Sequence, residues 1–240
     1  MIKRIQKEVP EDIFLSNLML SSKCIADAEF TNPALKEEIT RKLWQLYNDA
    51  EFKLIKNRAN KVLRRLQPQS IIDLLLNQLK DSDSSVRKSA ASALGAMGSL
   101  EALPALLEAF RSDTDSDVRW STAIALGAIG SIEALPSLVQ ALRIDINPDI
   151  RRSAAIALGA IGSPEAIPFL IQALENDKNC DVRGGAAEAL GKIGDDTAIQ
   201  SLEEALEDDG ESAIMKVKDK AFKVLEKISR RTGKRILSRK

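Results

Sequence analysis

Any active site in this chain would have to be assembled from two cysteines, 35 side-chain carboxylates and no histidine. Without histidine neither a Ser-His-Asp nor a Cys-His pair exists, and a His-ligated zinc site is equally excluded. Two cysteines cannot supply a thiolate-rich metal site either. Cys180 stands at the start of a predicted helix, whose positive end favours thiolate, but the adjacent Asp181 opposes that effect. Cys24, within "LMLSSKCIADAEF", has apolar neighbours and reads as core. The carboxylates fall at predicted caps and turns, so no acid/base dyad stands out. Gly233-Lys234 is followed by Arg235 and lacks the surroundings of a phosphate-binding loop. The inventory leads us to expect no catalytic residue, no metal and no cofactor.

The arginines carry more information, through their spacing. Arg87, Arg119, Arg151 and Arg183 recur at one constant interval, as do Gly95, Gly127, Gly159 and Gly191. Leu94, Leu126, Leu158 and Leu190 keep the same interval, and so do Pro104, Pro136 and Pro168. A fixed period of this length marks stacked units, each too small to bury its own apolar face. Two helices fit within one unit. In "EALPSLVQALR" (133–143), Leu135, Leu138, Val139 and Leu142 form one helical face. In "PDIRRSAAIALGAIG" (148–162), Asn147 is the expected N-cap, Pro148 opens the helix and Gly162 ends it. Asp83, Asp115 and Asn179 are the corresponding caps. Gly159, inside a helix at a propensity cost of about 1 kcal/mol, points to close helix packing.

These residues resemble HEAT-like repeats of the phycobilin lyase type, whose pattern is close to D-x-D-x-x-V-R-x-x-A-A-x-A-L-G-x-I-G. Asp115, Asp117, Val118, Arg119, Ala123, Ala125, Leu126, Gly127, Ile129 and Gly130 carry the match. The resemblance implies an all-α, right-handed α-solenoid, here of about six helical pairs plus an N-terminal helix. It also implies a ladder between turn aspartates and second-helix arginines: Asp115 with Arg119, Asp149 with Arg151, Asp181 with Arg183. On this reading residues 1–67 hold N-terminal helices and a degenerate capping repeat, and residues 68–194 the regular repeats. Residues 195–229 form a C-terminal cap and 230–240 a basic tail. The caps rest on "FKLIKNRANKVLRRLQ" (52–67) and "VKDKAFKVLEKIS" (217–229), where charged residues replace the glycines. The stretch "DIFLSNLMLSSKCIADAEF" (12–30) resembles the segment before HEAT-like repeats in NACHT-type signalling ATPases.

The concave side of such a stack is lined by second helices, and one solvent-facing stripe varies from unit to unit. It reads Asn57, Lys61, Arg65; Lys88, Ser92, Ala96; Trp120, Ile124, Ala128; Arg152, Ile156, Ala160; Gly184, Glu188, Lys192; Asp219, Lys223, Lys227. Lys88, Trp120, Ile124, Arg152, Ile156 and Glu188 are the expected partner-binding residues, an apolar centre with charges beside it. Gly184-Gly185 is expected to open a gap or fray a helix. The eight acids of Asp195–Glu211 read as a solvated face. Lys and Arg balance Asp and Glu at 35 each, so attraction to nucleic acid or an anionic membrane is not expected. No apolar run approaches a membrane span and no signal peptide is visible, which with two distant cysteines points to the cytoplasm.

The expectation is therefore a non-enzymatic scaffold that binds a protein or peptide along its concave face. The resemblances imply two alternatives. One is a bilin lyase subunit or chromophore-handling chaperone, with a bilin held near Lys88 and Arg152. The other is the sensor portion of a NACHT-type ATPase.

Overall fold

The repeating unit begins with the cap chemistry read above. In the computed structural model, Asp83 accepts the Ser85 N–H, Asp115 accepts those of Asp117 and Val118, and Asn147 accepts that of Asp149. Asn179 takes the Asp181 and Val182 N–H groups in the same way. Each cap satisfies donors that a helix start leaves without partners. At the other end Gly98, Gly130 and Gly162 adopt φ of 64°, 77° and 76°, the left-handed turn that ends these helices.

The structure describes residues 69–193, together with 41–42, 199–200, 202–203, 221–226 and 229–230. By packing, the chain divides into two units, Met1–Leu75 and Leu76–Lys240. All the described residues lie in helices or short turns. Eight α-helices run between 69 and 193: α1 (Gln69–Gln78), α2 (Ser84–Met97), α3 (Leu103–Ser112), α4 (Ser116–Ile129), α5 (Leu135–Ile144), α6 (Pro148–Ile161), α7 (Ile167–Asn176) and α8 (Cys180–Ile193). They alternate between a shorter first helix and a longer second helix, the regular part of an α-solenoid. One 3₁₀ turn precedes each of α3, α5 and α7, at Leu100–Ala102, Ile132–Ala134 and Pro164–Ala166. A proline then opens each of those helices, where its missing N–H costs nothing.

Burial explains the composition. Ala123, Leu126, Ile150, Ala154, Ala155, Leu158, Ala186, Ala187 and Leu190 are closed to solvent, and small residues dominate the second-helix seam. The helical glycines sit there too. A Cβ at Gly127 would lie 2.8 Å from the Ala157 Cα, and one at Gly159 would lie 2.5 Å from the Ala189 Cα. Those glycines let α4, α6 and α8 approach backbone to backbone. The first helices α5 and α7, by contrast, touch only sparsely. The second helices are thus the crowded layer of this stretch.

Two expectations change. The α8 helix is continuous through Gly184 and Gly185, and both glycines are buried. A Cβ at Gly185 would meet the Arg152 Cγ at 3.2 Å, so the aliphatic stem of Arg152 fills the space a side chain would need. No gap or fray opens there. The ladder is present, but with different aspartates, as described below. Cys24, residues 12–30, the 52–67 repeat, Asn57, Lys61, Arg65, Asp219, Lys227, most of Asp195–Glu211 and residues 231–240 lie outside the described residues.

Candidate functional site

The second helices present the stripe expected to bind a partner. Equivalent positions on α2, α4 and α6 hold Lys88, Trp120 and Arg152, and one turn further along lie Ile124 and Ile156. These helices pack in consecutive order, so the positions are neighbours across the layer. Trp120 keeps 40% of its surface in solvent, the most exposed aromatic between residues 69 and 193. Ile124 and Ile156 are half-buried. Lys88 reaches the first turn of α4 and pairs with Asp117 at 2.7 Å, an exposed pair of small energetic weight. Glu188 pairs with Lys192 on its own helix at 3.1 Å. Arg152 differs: its Nε is buried and has no hydrogen-bond partner among the described residues. A buried N–H left without a partner is a local cost to the fold.

Arg87, Arg119 and Arg151 pair with aspartates, though not with the ones the resemblance implied. Arg87 donates from Nε and Nη2 to both carboxylate oxygens of Asp113, at 2.7 and 2.8 Å. Arg151 holds Asp177 with the same geometry and distances. Arg119 pairs with Asp145. The partner is therefore the aspartate just ahead of each cap, taken from the next unit. Asp115, expected to pair with Arg119, is occupied as an N-cap. Asp149 and Asp181 are exposed in the first turns of α6 and α8, where their charge suits the positive helix end. Arg183 donates to the Asp177 and Lys178 carbonyls, not to Asp181.

The rungs are mostly buried, with side-chain exposures of 16% for Arg151 and 9% for Asp177. Hydrogen bonds from Arg87 hold the Asp113 carboxyl below the ordinary aspartate range, against the opposing effect of burial. For Asp177 burial is the largest influence and acts upward. The Arg151 hydrogen bond, the Asn179 N–H and the charges of Arg151 and Arg183 act the other way, and the net shift is downward. Asp81, Asp113, Asp145 and Asp177 recur at the interval the arginines keep. The cap residues close behind them keep that interval too, and spacing alone does not separate the two sets.

Exposed apolar residues also lie outside the stripe, Leu100 and Ile132 among them, and two stand furthest into solvent. Ile144 and Ile146, in the turn from α5 to α6, are 71% and 94% exposed. Their signal was available by comparing units, because the sister turns carry polar residues there.

Paired helices, a constant repeat period and an arginine ladder between units together define a HEAT-type helical repeat fold. HEAT repeats match residues 40–127, 72–157 and 135–217, and the chain belongs to this family. Among solved structures it is similar to the complex of CpcE and CpcF of phycocyanin lyase from Nostoc sp. PCC7120. That likeness has 23% identity and a TM-score of 0.54, over 65% of this chain and 99% of that one, and it is a likeness of fold. Human deoxyhypusine hydroxylase aligns at 20% identity and a TM-score of 0.44, over 90% of this chain and 99% of that one. No curated protein matches the sequence significantly. Among the described residues no helix is long and apolar enough to cross a membrane.

Proposed function

We propose that this protein is a non-catalytic interaction scaffold that holds a protein or peptide partner against its second-helix face, centred on α4 and α6. The observation that carries the reading is Trp120, a large aromatic left 40% exposed where the sister positions are Lys88, Arg152 and Gly184. Exposed tryptophan on an otherwise polar layer supplies much apolar area at little entropic cost, the usual character of a binding hot spot. Ile124 and Ile156 extend the apolar centre, and Arg152 adds a positive charge beside it. Lys88 and Glu188, each in an ion pair, belong to the rim, where they tune association more than affinity.

The test compares proteins retained from the native cell lysate by wild type, Trp120→Ala and Ile156→Glu, with far-ultraviolet circular dichroism on all three. The expected outcome is unchanged helicity and loss of the same partner from both variants. Identical partners from all baits would remove this face as the site. Lost helicity would instead place these side chains in the core.

A second reading, the handling of an open-chain tetrapyrrole, rests on Arg152 with Ile156 one turn away, a combination that suits a flat ligand bearing carboxylates. Visible absorbance of the purified chain mixed with a bilin separates the two: a shifted band lost in Arg152→Ala supports the chromophore, and an unshifted band removes it.

A further inference from the structure

The turn from α5 to α6 reads Arg143-Ile144-Asp145-Ile146-Asn147. At the two isoleucine positions the sister turns have Ser112 and Thr114, or Asn176 and Lys178. Nothing in the turn itself asks for isoleucine. Asp145 accepts the Asn147 N–H at 2.9 Å, as Asp113 accepts that of Asp115 at 2.9 Å and Asp177 that of Asn179 at 2.8 Å. The three turns share one hydrogen-bonding pattern, yet one of them holds two β-branched apolar side chains in water.

Ile144 stands between two clefts on the first-helix side. One, of about 490 Å³, is lined by Phe110, Arg111, Ser137, Gln140, Ile144 and Ile146 among others. The second, of about 220 Å³, includes Arg143, Ile144 and Phe169. The clefts exist because the first helices splay apart while the second helices close up. Their charge is one-sided. The two lining carboxylates, Asp145 and Asp177, are already neutralised by Arg119 and Arg151. Arg111 donates to the neutral Ser137 hydroxyl, and Arg143 forms no ion pair among the described residues. An apolar ridge with an uncompensated cation on each side remains.

We infer that this edge is a second docking site, separate from the second-helix face, for a partner peptide that presents a large apolar side chain flanked by carboxylates. The apolar side chain packs against Ile144 and Ile146 at the mouth of the larger cleft, and the acids meet Arg111 and Arg143. Charge complementarity selects an acidic segment, and the isoleucines select a peptide over a bare polyanion.

The experiment selects random dodecapeptides by phage display on the full wild-type chain. The Ile144→Ser/Ile146→Thr double variant serves as the counter-target, since its residues already occupy the sister turn of α3 and α4. The expected result is enrichment of peptides with Leu, Ile, Phe or Trp beside Asp or Glu. A synthetic, fluorescein-labelled winner should bind wild type in anisotropy, lose at least tenfold in affinity to the double variant and to Arg143→Glu, and keep its affinity for Trp120→Ala. Equal binding to wild type and the double variant, or winners without acidic residues, would overturn the proposal. So would sedimentation velocity showing a wild-type dimer abolished in the double variant, because the ridge would then join two copies of this chain. A winner that depends on Trp120 alone would assign the peptide to the second-helix face and reject this edge.

Discussion

Arg87, Arg119 and Arg151 each reach an aspartate of the following unit, and in doing so tie one unit to the next. Arg87 and Arg151 also hold carbonyls of the turn behind them, Asp81 and Ser82 in one case, Asp145 and Ile146 in the other. One planar guanidinium therefore fixes two turns at once, which a lysine could not do. Arg151→Ala leaves Asp177 poorly solvated and without its cation. The expected cost is about 2 kcal/mol, measured as a shift of the urea midpoint. Arg151→Lys should recover only part of it. The ladder also sets an acid response. Asp113 and Asp177 have folded-state values below 3.8. Their contribution is fully present well above that value and is lost as pH falls through the lowered folded-state values. Stability should hold from neutrality to about pH 5 on their account and then decline on further acidification. An Asp113→Asn/Asp177→Asn variant should start less stable and show a shallower acid decline in thermal melts.

The second helices follow a rule that propensity alone would contradict. Glycine in mid-helix weakens a helix by about 1 kcal/mol relative to alanine. In α6 that penalty is accepted because a Cβ at Gly159 would lie 2.5 Å from the Ala189 backbone of α8. The two effects of Gly159→Ala oppose one another. A gain of about 1 kcal/mol in propensity meets an overpacking cost of about 1–3 kcal/mol against backbone that cannot yield as a flexible side chain would. The clash wins, and we expect a lower denaturation midpoint. Ala128→Gly, at an exposed position of α4, should cost the propensity term of about 1 kcal/mol and nothing more. Measured side by side, the pair separates helix propensity from helix approach.

Stacked repeats of this kind draw stability from within each unit and from neighbours alone, so protection should vary along the chain. The second helices α4 and α6 each pack against a second helix on both sides, whereas the first helices contact one another sparsely. Native-state hydrogen exchange should therefore be slowest in α4 and α6 and faster in α3, α5 and α7. Uniform exchange across both layers would contradict this picture and indicate a single cooperative unit. The two proposed docking sites follow the same division. Trp120 stands on the crowded layer, and the Ile144–Ile146 ridge borders clefts in the splayed one.

The repeat period, the helix pair in each unit, the caps at Asp83, Asp115, Asn147 and Asn179, and the glycine exits were all legible in the amino-acid sequence. They are local or periodic features, and the physics behind them acts over a short stretch of chain. The close approach at Gly159 was legible as well, since only packing justifies a mid-helix glycine. The ladder partner was not resolved by spacing. Two acidic or cap positions, Asp113 and Asp115, share one period, and only the three-dimensional path of the turn shows which carboxylate faces the arginine of the preceding unit. The fate of Gly184-Gly185 was likewise beyond the sequence, because the group that fills the space, Arg152, belongs to the preceding unit. The exposure of Ile144 and Ile146 was signalled only by comparison with the polar sister turns. An apolar residue in a linear sequence reads equally as core or surface, and burial is a property of what folds over it.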